Sequence, residues 1–175
     1  SQNIPSRTIA RRKVKLFDHL HQYEREYSIG KPFPIVNSHI HPAVLQLGLR
    51  YSEGSIQGSN ARCLAFMHTV KQLITDFKLK TSSGDSRNDL EGSLRRFSEN
   101  LGGILDTHIT VLKNCRTHSV SMGNAIRLLK AKIKSIGVGT GMKDIQEENQ
   151  IEERAKQIIF DSIDTFVDYV RLSAF

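Results

Sequence analysis

The chain has 175 residues, a net charge of +7, 38% apolar residues and 25% charged residues. That length makes one domain, or one domain with tails, and it buries a core without disulfides or metal. No apolar run approaches a bilayer span, and the basic start lacks the apolar stretch of a secretory signal. Cys63 and Cys115 stand far apart with no Cys-x-x-Cys pair, which reads as two reduced core thiols of a cytosolic protein.

The charge is unevenly spread. Arg7, Arg11, Arg12, Lys13 and Lys15 all precede the first acid, Asp18, and the remainder carries 20 basic against 18 acidic residues. A basic arm is able to meet phosphates or carboxylates. Its simplest reading is a solvated terminal segment, so nucleic acid is not an expected partner. With no initiator methionine, the chain reads as a segment of something longer. Residues 1–40 form this arm and an extended connector marked by Pro32 and Pro34; residues 41–175 form the helical domain.

A spacing of three and four between apolar residues runs through that domain. Val44, Leu47 and Tyr51 share a face of a short helix over Ala43–Tyr51, with Pro42 suited to its first turn. Gly54 and Gly58 break the chain. Ser59 or Asn60 is placed to cap a second helix carrying Cys63, Met67, Val70, Ile74 and Phe77. A polar loop, Thr81–Asp85, leads to Ser86, the expected cap of a longer helix with Leu90, Leu94, Phe97, Leu101, Ile104, His108, Val111 and Cys115. Gly102 and Gly103 interrupt that stripe, where a bend or a close helix crossing is expected. Met122, Ile126, Leu129, Ile133 and Ile136 make a fourth helix, ended by Gly137–Gly141. A fifth begins near Asp144 and carries Ala155, Ile159, Ile163, Phe166 and Val170. No segment alternates with period two, so the expected fold is all-α: a bundle of about five helices preceded by an irregular basic arm.

Little in this pattern speaks of catalysis. Gly137-Val-Gly-Thr-Gly141 follows a helix and precedes Met142, whereas a phosphate loop follows a strand and, in the common type, leads into lysine and a hydroxyl. His19-x-His21 and His39-x-His41 lack a cysteine or carboxylate at a supporting spacing, so no metal site and no cofactor is expected. His108 lies on an apolar stripe, as a core or interface histidine does, and is able to respond to pH. The pairs Glu147-Glu148 and Glu152-Glu153 read as solvated. Arg62 and Arg87 each follow an expected helix cap, where a guanidinium fork is able to reach a carboxylate or phosphate.

Two blocks carry a resemblance. His41-Pro42-Ala-Val-Leu-Gln-Leu-Gly-Leu-Arg-Tyr51 with Gly58-Ser-Asn-Ala-Arg-Cys63 is the first. Ser119-Val-Ser-Met-Gly-Asn-Ala-Ile-Arg-Leu-Leu-Lys130 is the second, at the expected later position. With Leu16-Phe17-x-His19-Leu20 and Ser86-Arg87, they make the chain resemble the helical amino-terminal domain of the delta subunit of eukaryotic translation initiation factor 2B, over most of its length. The resemblance implies a non-catalytic, cytoplasmic regulatory module of a guanine-nucleotide exchange complex. Its implied partners are sister alpha and beta subunits, the catalytic subunits, and the alpha subunit of initiation factor 2, whose phosphorylated form the module helps to sense. By position, Leu16, Phe17 and Leu20 resemble a subunit-interface segment, and Arg87 and Leu90 resemble residues facing the phosphorylated partner. The family continues into a Rossmann-like α/β domain, whereas this chain stops at Phe175, and Asp168–Phe175 departs from the family pattern. Three alternatives stand beside this one: a sugar-phosphate isomerase relative lacking its catalytic domain, a helical RNA-binding module using the basic arm, and an element of assembly alone.

Overall fold

A computed structural model describes residues 39–79, 90–140 and 148–173, apart from the side chains of Glu148 and Asn149. It contains five α-helices: α1 (Pro42–Glu53), α2 (Ser59–Asp76), α3 (Leu90–Cys115), α4 (Val120–Gly137) and α5 (Glu148–Leu172). There is no strand among the described residues. The all-α expectation is met. Residues 1–38 of the basic arm and connector, the Thr81–Asp85 loop, the Ser86 cap and Asp144 lie outside the described residues.

The helix ends follow local chemistry. His41 caps α1 by accepting the Ala43 N–H on its ring, and Pro42 follows in the first turn, where a missing donor costs nothing. Gly54, at φ 72°, turns the chain left-handed and sends its N–H back to the last carbonyls of α1. The cap of α2 is not the expected Ser59 or Asn60. Gly58 holds that position at φ 85° and makes no side-chain bond, which leaves the Asn60 amide free for a longer-range partner. Ser119 caps α4 through Met122 N–H.

Three relations give the helix directions in the bundle. α2 and α3 run antiparallel, since Arg62 at the start of α2 reaches Thr117 just past α3, while Phe77 meets Phe97 edge-on with ring centroids 5.4 Å apart. α3 and α4 run antiparallel too: Ser98 Oγ donates to Ile133 O, and Lys130 pairs with Asp106. α5 runs back along α2, with Lys71 pairing with Asp164 and Lys156 reaching Phe77 O. The core includes Phe66, Met67, Phe97, Leu101, Leu105, Leu112, Leu129 and Ile159, all at most 2% exposed. Each such side chain contributes roughly 1.5–3 kcal/mol on burial.

Three stripes shift by one residue from the sequence reading. Leu105 rather than Ile104 enters the core of α3, Ala125 rather than Ile126 is the more buried on α4, and Val167 rather than Phe166 is the more buried on α5. Long helices drift out of a strict three-four spacing because 3.6 residues make a turn. The expected close crossing at Gly102 and Gly103 is absent: a Cβ at either position meets nothing within 4 Å. The close approach is at Gly137 instead, where a Cβ would stand 2.8 Å from Ser98 Cβ. That glycine lets α4 end against α3.

Candidate functional site

One end of the bundle gathers the start of α2, the α3–α4 turn, the start of α4 and the end of α1. Tyr51, 2% exposed, donates its hydroxyl to Arg62 O at 2.6 Å and lies 3.9 Å from Met122 Sδ. Arg62 uses one nitrogen on Gly58 O and another on Thr117 O, both at 3.3 Å. Ser121 Oγ donates to Asn60 Oδ1 at 3.3 Å. These contacts tie the end of α1, the start of α2, the α3–α4 turn and the start of α4 to one another. The residues belong to the two sequence blocks singled out above, and the fold joins the blocks into one hub. Arg62 therefore braces the α3–α4 turn. Burial pushes the Tyr51 phenol well above its usual range, and it raises the Cys63 thiol to about 11, so both remain protonated near neutrality.

The opposite end is closed from far away in sequence. Lys156 on α5, only 7% exposed, places Nζ 2.6 Å from Phe77 O and 3.4 Å from Thr75 O, at the carboxyl end of α2. A cation there meets the negative end of the helix dipole and unpaired carbonyls. Glu152, one turn earlier, holds Lys156 at 2.7 Å and accepts the Leu79 N–H at 3.2 Å. The expectation of a solvated Glu152 is thus overturned: it is half-buried and bonded twice. The one available sequence signal was the position of Lys156 beside Ala155 and Ile159 on the apolar stripe, with a glutamate four residues before it.

A third cluster joins α1, α2 and α3. The His41 backbone N–H donates to His108 Nε2 at 2.9 Å, and the His108 Nδ1–H donates to Ile104 O at 2.6 Å. His41 Nε2 pairs with Asp76 at 2.9 Å. These bonds fix both tautomers: His108 is neutral with its proton on Nδ1, and His41 donates from Nε2 while Nδ1 accepts from Ala43. His41 is thus a helix cap. Among the described residues no group of three or more histidine, cysteine or acidic side chains is placed to hold a metal ion. His118 at the hub end has a buried Nε2 with no hydrogen-bond partner; burial, then Lys113 and Arg62, lower its pKa.

Of the residues that the resemblance marks, Leu16, Phe17, Leu20 and Arg87 lie outside the described residues. Leu90 is the first residue of α3, half-buried and packed against the core cluster. Exposed large apolar side chains lie elsewhere: Val120 at the start of α4, Val138 past its end, and Tyr169 and Leu172 one turn apart near the end of α5. Charge is divided between helices: α4 carries Arg127, Lys130, Lys132 and Lys134 and no acid, whereas α5 carries more acids than bases.

No family model matches the chain. It is 31% identical over 166 residues to translation initiation factor eIF2B subunit delta of Dictyostelium discoideum, an alignment covering 93% of this chain and 23% of that protein. The sequence is of the eIF2B delta type. The delta subunit of Schizosaccharomyces pombe is 29% identical over 156 residues, covering 89% of this chain and 28% of that protein. The chain therefore spans between 23% and 28% of the length of these curated relatives. In three dimensions it is similar to the crystal structure of a tetrameric eIF2B-beta2-delta2 complex from C. thermophilum, with a TM-score of 0.56 at 27% identity, over 77% of this chain and 36% of the neighbour. The delta-type blocks recognised in the sequence are thus, in this fold, the residues that lock α1, α2 and α4 together.

Proposed function

We propose that this chain is the helical regulatory region of a delta-type eIF2B subunit, part of a cytoplasmic hetero-oligomer that exchanges guanine nucleotide on initiation factor 2. It binds rather than catalyses. The observation that supports this best is the delta-subunit match along 93% of the chain. The interior agrees with it: Tyr51, Lys156 and His108, its most buried polar side chains on the three clusters, are engaged in bonds between helices.

In this reading the partners are the sister alpha and beta subunits, the catalytic subunits, and the alpha subunit of initiation factor 2. Leu16, Phe17 and Leu20 serve the subunit interface, and Arg87 serves the phosphorylated partner, since a guanidinium fork suits phosphate. Phosphorylation then acts by differential binding, shifting the complex toward the state that holds the modified partner better. The deciding experiment is binding of the assembled alpha-beta-delta core to phosphorylated and unphosphorylated alpha subunit of initiation factor 2. Preference for the phosphorylated form, weakened about tenfold or more by Arg87→Glu, is the expected result. Equal binding of both forms in an assembled core removes the sensing role.

That outcome would favour assembly alone.

A further inference from the structure

His108 is 4% exposed, yet its ring is fully used. Nδ1 carries the proton given to Ile104 O, and the lone pair on Nε2 accepts the His41 N–H. His41 is the cap of α1, so this one nitrogen ties the entrance of α1 to the middle of α3, a sequence separation of 67 residues. An imidazolium has no lone pair. Adding a proton to Nε2 turns the acceptor into a donor facing another donor, at a separation of 2.9 Å. We propose that His108 is a proton-operated latch: in its neutral form it holds the amino end of α1 against α3, and on protonation it releases that end.

The surroundings fit a latch that opens in mild acid. From α1, His41 is the titratable neighbour and opposes a charge on His108. From α2, Asp76 is engaged with the far nitrogen of His41. On α3 itself Asp106 is paired with Lys130 of α4. The charge on the buried face of α5, Lys156, is held at the end of α2 by Glu152 and Phe77 O. Burial is the largest influence and lowers the His108 pKa below its ordinary 6.5, against the raising effect of Ile104 O. The folded state thus binds the proton less well than the unfolded chain. The stability gained from the neutral ring is complete above 6.5 and is lost as pH falls through that value toward the folded pKa.

The test is amide exchange and ring nitrogen shifts by NMR on the full chain, from about pH 8 to about pH 5. The expected result is that the His41 amide, protected at the upper end, loses protection by about tenfold or more beyond the intrinsic change as His108 takes its proton, while Leu101 and Leu105 amides keep theirs. His108→Gln keeps a neutral acceptor at the same distance along the side chain, and it should leave His41 protected throughout. Asp76→Asn should retain the loss, which separates the latch from the exposed His41–Asp76 pair. A His41 amide whose protection is unchanged while His108 titrates overturns the proposal, and so does an identical loss in His108→Gln.

Discussion

The two ends of the bundle solve the same problem by different routes. At both, side chains tie helix ends together across the sequence. The hub end uses several bonds, 11 to 61 residues apart, from Tyr51 to Arg62 O, from Arg62 to Thr117 O and from Ser121 to Asn60. The other end relies on Lys156, bonded to a carbonyl 79 residues away. The hub bonds involve neutral carbonyls or an exposed guanidinium. The Lys156 plug puts a cation into the interior, where it depends on its partners. The first design should tolerate the loss of one bond, and the second should lose more stability when one member is removed.

The contrast is sharpest in Lys156→Met. The substitution keeps the length of the side chain but strands the Glu152 carboxylate and the α2 carbonyls, so a loss of about 2–4 kcal/mol is expected in urea unfolding. A loss near zero would put the plug on a par with the hub. Gly137→Ala comes next, at about 1–3 kcal/mol, because the new methyl would meet the Ser98 side chain at 2.8 Å. Tyr51→Phe tests the hub itself and should cost about 1 kcal/mol, as one buried hydrogen bond to Arg62 O is lost with the ring kept. Gly102→Ala is the smallest and opposite in sign. It should raise stability by about 0.5–1 kcal/mol, since the position is helical and open. If Gly102→Ala instead destabilised the chain as much as Gly137→Ala, the assignment of the close approach to the α4 end would be wrong.

The same contrast explains what the sequence disclosed. Helix number and the greater part of the core were legible, because Val44, Met67, Leu101 and Ile159 repeat at the helical period and periodicity is a local property. The cap of α1 was half legible: Pro42 announced the first turn, while the role of His41 depended on Ala43, His108 and Asp76 converging on it. The hub blocks announced a family before they announced a role. Glu152 was misread, and Lys156 went unnoticed, because an i, i+4 acid–base pair looks alike on a solvated face and on a buried one. Glycine was misread for a related reason. Gly102-Gly103 is conspicuous in sequence but faces open space, while Gly137 matters only because of Ser98 on another helix. For the site, Leu90 is seated against the core, and Arg87, Leu16, Phe17 and Leu20 carry their assignment through the resemblance.

One element links three of the features described. α3 runs for 26 residues without interruption, about 39 Å at the usual rise. Leu90 stands at one tip, His108 sits beyond the midpoint beside α1, and the other tip enters the turn that Arg62 braces. Such a rod behaves as a lever. A tilt of about five degrees about its centre carries each tip roughly 1.7 Å, which is on the scale of helix shifts that re-form interfaces. A load placed on the Leu90 tip would be carried along α3 to the braced turn at the far end.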